Sequence, residues 1–231
     1  MTTRLTYRRA AHCLLLTGLI SIPARADLLV EQWQGGGAGQ NGLSGVDAVI
    51  ASRPPDVSGL WAIIDFTDDP AGFAGEIPGS NPWPLATLLG QSGTGATANT
   101  DFAARITTSL TISVADTYRF RTYSDDGVRL RIAGSDVILD NGYHPESPNN
   151  GSIFLNPGTY PLELVFFEGG GEASLEFTVA QGNGPFGHVG AIGGPVSVSA
   201  VPEPSTWAAG AALMLMIGGA WYRRGQGGAE G

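Results

Sequence analysis

The chain has 231 residues, with twelve arginines and no lysine against twenty-one aspartates and glutamates, and a formal charge of −9. Between residues 27 and 200 the imbalance is steeper, six arginines against nineteen carboxylates, a formal −13. A surface of that sign disfavours nucleic acid and anionic lipid, whose phosphates require a basic face, and it admits divalent cations as partners.

At the start of the chain, Arg4, Arg8 and Arg9 precede an apolar stretch over residues 13–22, and Ala24 and Ala26 supply the small residues that a signal peptidase accepts. Residues 1–26 are therefore expected to be a secretory signal peptide cut after Ala26. The only cysteine, Cys13, falls in the discarded segment, so the mature protein is expected to hold no thiol, disulfide or thiolate metal site.

Residues 27–100 contain thirteen glycines and six prolines and no evident helical spacing of apolar residues. Loops are predicted to dominate there, with strand-like pieces over residues 28–33 and 60–66. Asp65, Asp68 and Asp69 read as a solvated acidic loop.

From Arg105 onward apolar and polar residues alternate, which places successive side chains on opposite faces of a strand. Leu110, Ile112 and Val114 alternate with Thr111 and Ser113, Tyr118 and Phe120 with Arg119 and Arg121, and Val128, Leu130 and Ile132 with Arg129 and Arg131. Tyr160, Leu162, Leu164 and Phe166 share one side of a later strand, and Ala173, Leu175, Phe177 and Val179 share one side of the next. Turn residues separate these runs at Asp116, Asp126-Gly127, Ala133-Gly134-Ser135, Asn156-Pro157-Gly158 and the Gly169–Gly171 triplet. One-sided strands with no amphipathic helix between them predict an all-β fold, an antiparallel β-sandwich or barrel. Residues 181–200 return to Gly, Pro and Ser and read as a spacer or a last strand.

The end of the chain is distinctive. Residues 206–222 are uncharged, with Trp207 near one end and Trp221 and Tyr222 at the other, followed by Arg223 and Arg224. An apolar run of that length with aromatic flanks predicts a single transmembrane helix, and the two arginines would hold residues 225–231 on the cytoplasmic side. Just before it stand Pro202, Glu203 and Pro204.

Residues 201–224 resemble the PEP-CTERM sorting signal of Gram-negative bacteria: the Pro-Glu-Pro motif, a short hydrophobic helix and an arginine-rich end. That resemblance implies a membrane protease of the exosortase type as partner, with the middle of the chain exported, transiently anchored and then held at the outer surface or in the extracellular matrix, often in connection with exopolysaccharide.

A second resemblance lies in the middle. Residues 118–134 (YRFRTYSDDGVRLRIAG), 137–141 (VILDN), 157–161 (PGTYP) and 167–173 (FEGGGEA) are similar, in that order, to a PA14 domain. The likeness is firmest over residues 100–180 and extends weakly back to residue 27. It departs at Phe177-Thr178, where many members have a tryptophan. It implies a β-sandwich that serves as a carbohydrate-binding or interaction module. In the adhesin branch two adjacent aspartates joined by a cis peptide chelate Ca²⁺, and the ion grips sugar hydroxyls; Asp125 and Asp126 match them. The same register puts Glu168 where those adhesins have an asparagine ligand, with the backbone carbonyls of Gly170 and Glu172 as neighbours. The residues themselves leave a plainer alternative open, since Asp-Gly is a strong hairpin signal and Asp126-Gly127 reads equally as a tight turn.

No catalytic motif is present: there is no Gly-x-Ser-x-Gly elbow, no His-Glu-x-x-His and no phosphate loop. His144 and His188, the histidines left after the leader, read as surface loop residues. The expectation is an exported binding module for glycan or exopolysaccharide, with calcium as its candidate ion and no catalytic residues. A purely structural matrix or envelope protein is the alternative, and a polysaccharide hydrolase a weaker one.

Overall fold

A computed structural model describes residues 28–35, 37–68, 74–79, 81–84, 100–191 and 193–199. The predicted leader with Ala24 and Ala26, the motif at Pro202, Glu203 and Pro204, the apolar run 206–222 and Arg223 and Arg224 lie outside these residues. Among the described residues no helix is long and apolar enough to cross a membrane.

Two antiparallel sheets enclose one core. The larger contains β1 (Leu28–Gln34), β2 (Val57–Trp61), β4 (Phe102–Ile112), β6 (Val128–Ile132), β7 (Ser135–Asp140) and β9 (Gly158–Glu168) in the order β2-β1-β4-β9-β6-β7, with β12 (Ser197–Ser199) also paired to β4. The smaller runs β11-β10-β5-β8, from β11 (Gly187–His188), β10 (Ser174–Gln181), β5 (Asp116–Asp125) and β8 (Ser147–Leu155), and β3 (Asp65–Thr67) pairs with β10. The alternation expected from the sequence is realised: Leu110, Tyr118, Phe120, Val128, Leu130, Leu164, Phe166, Leu175, Phe177 and Val179 are all buried in the core between the sheets. Burying such residues is the main favourable term, roughly 1.5–3 kcal/mol for each large side chain. At one end, Trp83 stacks on Phe166 at 4.8 Å and meets Phe102 edge-on at 4.8 Å.

Three readings of the sequence are corrected. Residues 60–66 are not one strand: β2 pairs with β1 in the larger sheet, β3 pairs with β10 in the smaller, and residues 62–64 carry the chain between them. Of the two readings of residues 181–200 the spacer one is corrected and the strand one holds, because β11 and β12 each add to a sheet. The third correction is a helix, α1 (Gly42–Ser52), where only loops were expected. Leu43, Val46 and Val49 do fall at helical spacing, but two glycines and two serines within eleven residues hide the signal. Packing supplies what propensity lacks: Leu43, Val46 and Val49 bury against Trp33, Ala103, Val165 and Phe167 on the outer face of the larger sheet. Asp47 of α1 also grips the buried Arg129 at 2.8 and 3.0 Å.

Candidate metal centre

Two connections that the sequence marks as turns are crossovers between sheets. β5 lies in the smaller sheet and β6 in the larger, so Asp126-Gly127 carries the chain across the sandwich and the tight-hairpin reading is wrong. The glycine is needed there for space: a Cβ on Gly127 would lie 2.5 Å from the Phe167 ring and 2.7 Å from the Asp140 carbonyl oxygen. The glycine triplet carries the chain back, from β9 in the larger sheet to β10 in the smaller.

Both crossovers fall at the same end of the sandwich. In the smaller sheet Asp125 is opposite Ser174, while in the larger Glu168 is opposite Phe102 and Val128 is opposite Phe166. The consequence is that carboxylate oxygens of Asp125, Asp126 and Glu168 lie within 4.8 Å of one another. The Asp125-Asp126 peptide is cis.

The cluster is built from buried groups. Glu168 is 0 % exposed and Asp126 5 %. Asp126 accepts two backbone N–H bonds, from His144 at 2.8 Å and from Gly169 at 2.9 Å. Glu168 Oε1 accepts the Gly170 N–H at 2.6 Å, whereas its Oε2 is buried with no hydrogen-bond partner. No arginine pairs with any of the three among the described residues. Burial, reinforced by the neighbouring Asp126 charge, pushes Asp125 up to about 7. Burial, and then the charges of Asp126 and Asp125, push Glu168 up to about 9. Such a set is stable with protons or with a cation between the carboxylates.

The surroundings fix the rim. The turn before α1 lies directly on the Glu168–Gly169 backbone, where a Cβ on Gly39 would come 1.7 Å from the Glu168 carbonyl oxygen. Gln40 donates its side-chain amide to the Gly169 carbonyl. Tyr143 accepts from the Gly42 N–H at 2.9 Å, donates to the Gly39 carbonyl at 3.1 Å, and packs edge-on against Phe167. Asp68 closes the inner side: its N–H donates to the Ala173 carbonyl at 3.1 Å and its Oδ1 accepts the Ala173 N–H at 3.0 Å.

Of the residues singled out from the sequence, Asp125, Asp126 and Glu168 are thus brought together. Gly170 adjoins them through its N–H, and Glu172 is exposed on the same crossover. Two expectations fail, for the acidic loop and for His188, whereas His144 does lie in a partly exposed loop. Asp65 and Asp68 are 1 % and 2 % exposed, not solvated, and Asp69 lies outside the described residues. His144 adjoins the cluster through its backbone, with its ring bonded to Asp140 at 2.9 Å. His188 sits in β11 with its Nε2 buried, 3.5 Å from Asp65 and 3.7 Å from Glu176. Asp68 was missed as a neighbour of the cluster because it is far away in the chain and a short acidic run gives no sign of burial.

Comparison with known proteins bears on the fold. Residues 90–183 match the family model of the PA14 domain. Among solved structures, the PA14 domain of the MpAFP antifreeze protein is similar at a TM-score of 0.56 and 19% identity, over 78% of this chain and 93% of that one. The PA14 sugar-binding domain from an RTX adhesin is similar at 0.52 and 24%, over 71% of this chain and 95% of that one. The A domain of epithelial adhesin 9 from Candida glabrata, in complex with Galb1-4GlcNAc, is similar at 0.54 and 11%, over 76% and 90%. The chain also spans about half, 49%, of the length of an anti-sigma factor domain-containing protein that it matches. No curated protein matches the sequence. The fold is PA14-like, two antiparallel sheets with the cluster at one end.

Proposed function

We propose that this chain is an exported binding module, presented at the outer surface, whose Asp125–Asp126–Glu168 cluster takes a calcium ion and through it holds a saccharide. The observation that carries the reading is the convergence of three carboxylates, one with a buried unbonded oxygen, without an arginine to balance them. A hard cation seeks oxygen donors of this kind. The donor set fits the ion: Asp125, Asp126 and Glu168 would hold it, with backbone carbonyls of the glycine-rich crossover available to complete its shell.

Bound there, calcium would supply positive charge and open coordination positions for sugar hydroxyls. The protein's own part is to pre-position the ligands. The His144 and Gly169 N–H groups orient Asp126, the Gly170 N–H orients Glu168, and the turn through Gly39 and Gln40 buttresses the loop that carries them. The sugar-binding description of the RTX adhesin domain and the disaccharide bound to the Candida glabrata adhesin support a glycan as the partner class. The reading is of a module that binds and does not turn over its ligand. Signal peptidase and an exosortase-type protease would act on the two ends of the chain, delivering the sandwich to exopolysaccharide outside the cell.

The test is calorimetric titration of the purified full chain with calcium, followed by a glycan array with and without chelator. One calcium per chain and chelator-sensitive glycan binding are expected. No calcium uptake, or uptake unchanged by Asp125→Ala, would sink the ion site; calcium uptake with a flat array would sink the lectin reading alone.

A further inference from the structure

The outer face of the smaller sheet carries a second feature, of opposite charge. Arg119 and Arg121 on β5 stand directly opposite Ser152 and Asn150 on β8, and Phe186 closes the group from beyond β10, enclosing a recess of about 310 Å³. Residues opposite one another in an antiparallel pair share a face, so all four polar side chains point to the same side.

The two guanidinium groups are held in place from behind. Arg119 donates Nε to the Gly182 carbonyl at 2.6 Å and Nη2 to the Gly184 carbonyl at 2.7 Å. Arg121 donates Nε to Asn150 Oδ1 at 2.8 Å and Nη1 to Glu76 at 2.8 Å. Both lie over the Phe186 ring, at 4.9 and 4.1 Å from its centroid. These contacts leave Arg119 Nη1, Arg121 Nη2, the Asn150 amide N–H pair and the Ser152 hydroxyl without partners among the described residues. No carboxylate lines the recess.

Arg53, Arg105, Arg121, Arg129 and Arg131 each pair with an Asp or Glu. Arg119 alone among the described arginines pairs with none, in a stretch where carboxylates outnumber arginines three to one. Glu76 neutralises Arg121, so the recess keeps about one uncompensated positive charge, ordered by backbone carbonyls. Two residues further along β8, on the same face, Phe154 is 61% exposed. A guanidinium fork matches a carboxylate, and an exposed ring matches the apolar face of a pyranose.

We infer that this recess binds the carboxylate of an acidic sugar, a uronate unit within a polysaccharide, with Arg119 as its principal contact, Arg121, Asn150 and Ser152 as supporting donors and Phe154 under the ring. The site is separate from the carboxylate cluster and does not need calcium. Arg121 and Asp125 lie on the same face of β5, four residues apart, roughly 13 Å along the strand, so one extended glycan could reach both.

The test is titration of the purified full chain with a short oligogalacturonate in the presence of chelator, which keeps its outcome independent of the calcium reading. Binding is expected, weakening as salt rises, and reduced about tenfold or more by Arg119→Gln, the loss of one charge-assisted contact. Ser152→Glu, at an exposed position that leaves the packing alone, is expected to abolish it. The neutral oligogalactose and free galacturonic acid serve as controls. Equal binding of the neutral oligomer would remove the carboxylate from the argument, and equal binding of the free acid would remove the polysaccharide. Unchanged affinity in Arg119→Gln, or in Ser152→Glu, would overturn the site.

Discussion

The carboxylates of Asp125 and Glu168, at the ends of strands in different sheets, lie within 4.8 Å of each other and face no arginine among the described residues. Removing one should therefore have opposite effects on binding and on stability. Glu168→Gln is expected to weaken calcium binding about tenfold or more, because a ligand that can carry charge is lost, yet to leave the chelated protein at least as stable, because the amide needs no proton taken up to sit buried beside Asp125 and Asp126. Calorimetry with calcium and thermal melts in chelator check the two halves separately.

Burial of acidic groups, at this cluster and beside His188, sets a pH dependence. Asp65, at about 6, Asp125, at about 7, and Glu168, at about 9, all lie above their ordinary values of 3.8, 3.8 and 4.5. The folded state then holds protons that the unfolded chain releases, so stability is highest where all three are protonated and falls as pH rises between about 4 and 9. In chelator the midpoint of unfolding is expected to be higher at pH 5 than at pH 8. Added calcium should raise the value at pH 8 more than that at pH 5. A melt that grows more stable with pH in chelator would contradict these environments.

Two glycines make the rim possible by their lack of a side chain. A Cβ on Gly169 would lie 2.7 Å from the Tyr143 ring, and one on Gly39 would overlap the Glu168 carbonyl. Gly39→Ala has backbone to displace and should lower stability by about 1–3 kcal/mol, the range for overpacking, while also weakening calcium uptake. Gly169→Ala presses on a ring and should act in the same direction. Gly170→Ala, where a Cβ meets nothing within 4 Å, is the neutral control. Denaturant unfolding and calcium titration of the three variants provide the comparison.

The hairpin between β6 and β7 offers a change unrelated to binding. Ala133 and Gly134 form its two-residue loop with φ of +50° and +82°, and an alanine is poorly suited to the left-handed region. Ala133→Asn should stabilise the chain by roughly 1 kcal/mol, raising the melting temperature by a few degrees without altering calcium or glycan binding.

The alternation of Tyr118, Phe120, Val128, Leu130 and Ile132 with arginines made the sandwich readable, since period-two patterns report a buried and an open face directly. What alternation does not report is which sheet a strand joins. For that reason residues 60–66 read as one continuous strand, and Asp126-Gly127 leaves a tight hairpin open beside the ion-ligand reading, although the chain changes sheet at both places. Helix α1 was obscured by its glycines and serines and is held by the contacts of Leu43, Val46 and Val49. At the cluster, the string around Asp125 and the glycine triplet after Glu168 pointed to the correct segments. The burial of Asp65, Asp68 and His188 depends on what covers them, which no local pattern encodes.

β4 fixes where residues 28 and 199 lie. Leu29 in β1 is paired with Thr107 and Ser199 in β12 with Ser109, side by side on one edge of that strand, while Phe102 at its other end is paired with Glu168. Seven residues of strand separate Ser109 from Phe102, roughly 23 Å. Anything leashed beyond Ser199 would therefore hold the sandwich by its waist and leave the carboxylate tip free to reach outward, and a chain rejoined from residue 199 to residue 28 and reopened at an exposed loop should keep that tip intact.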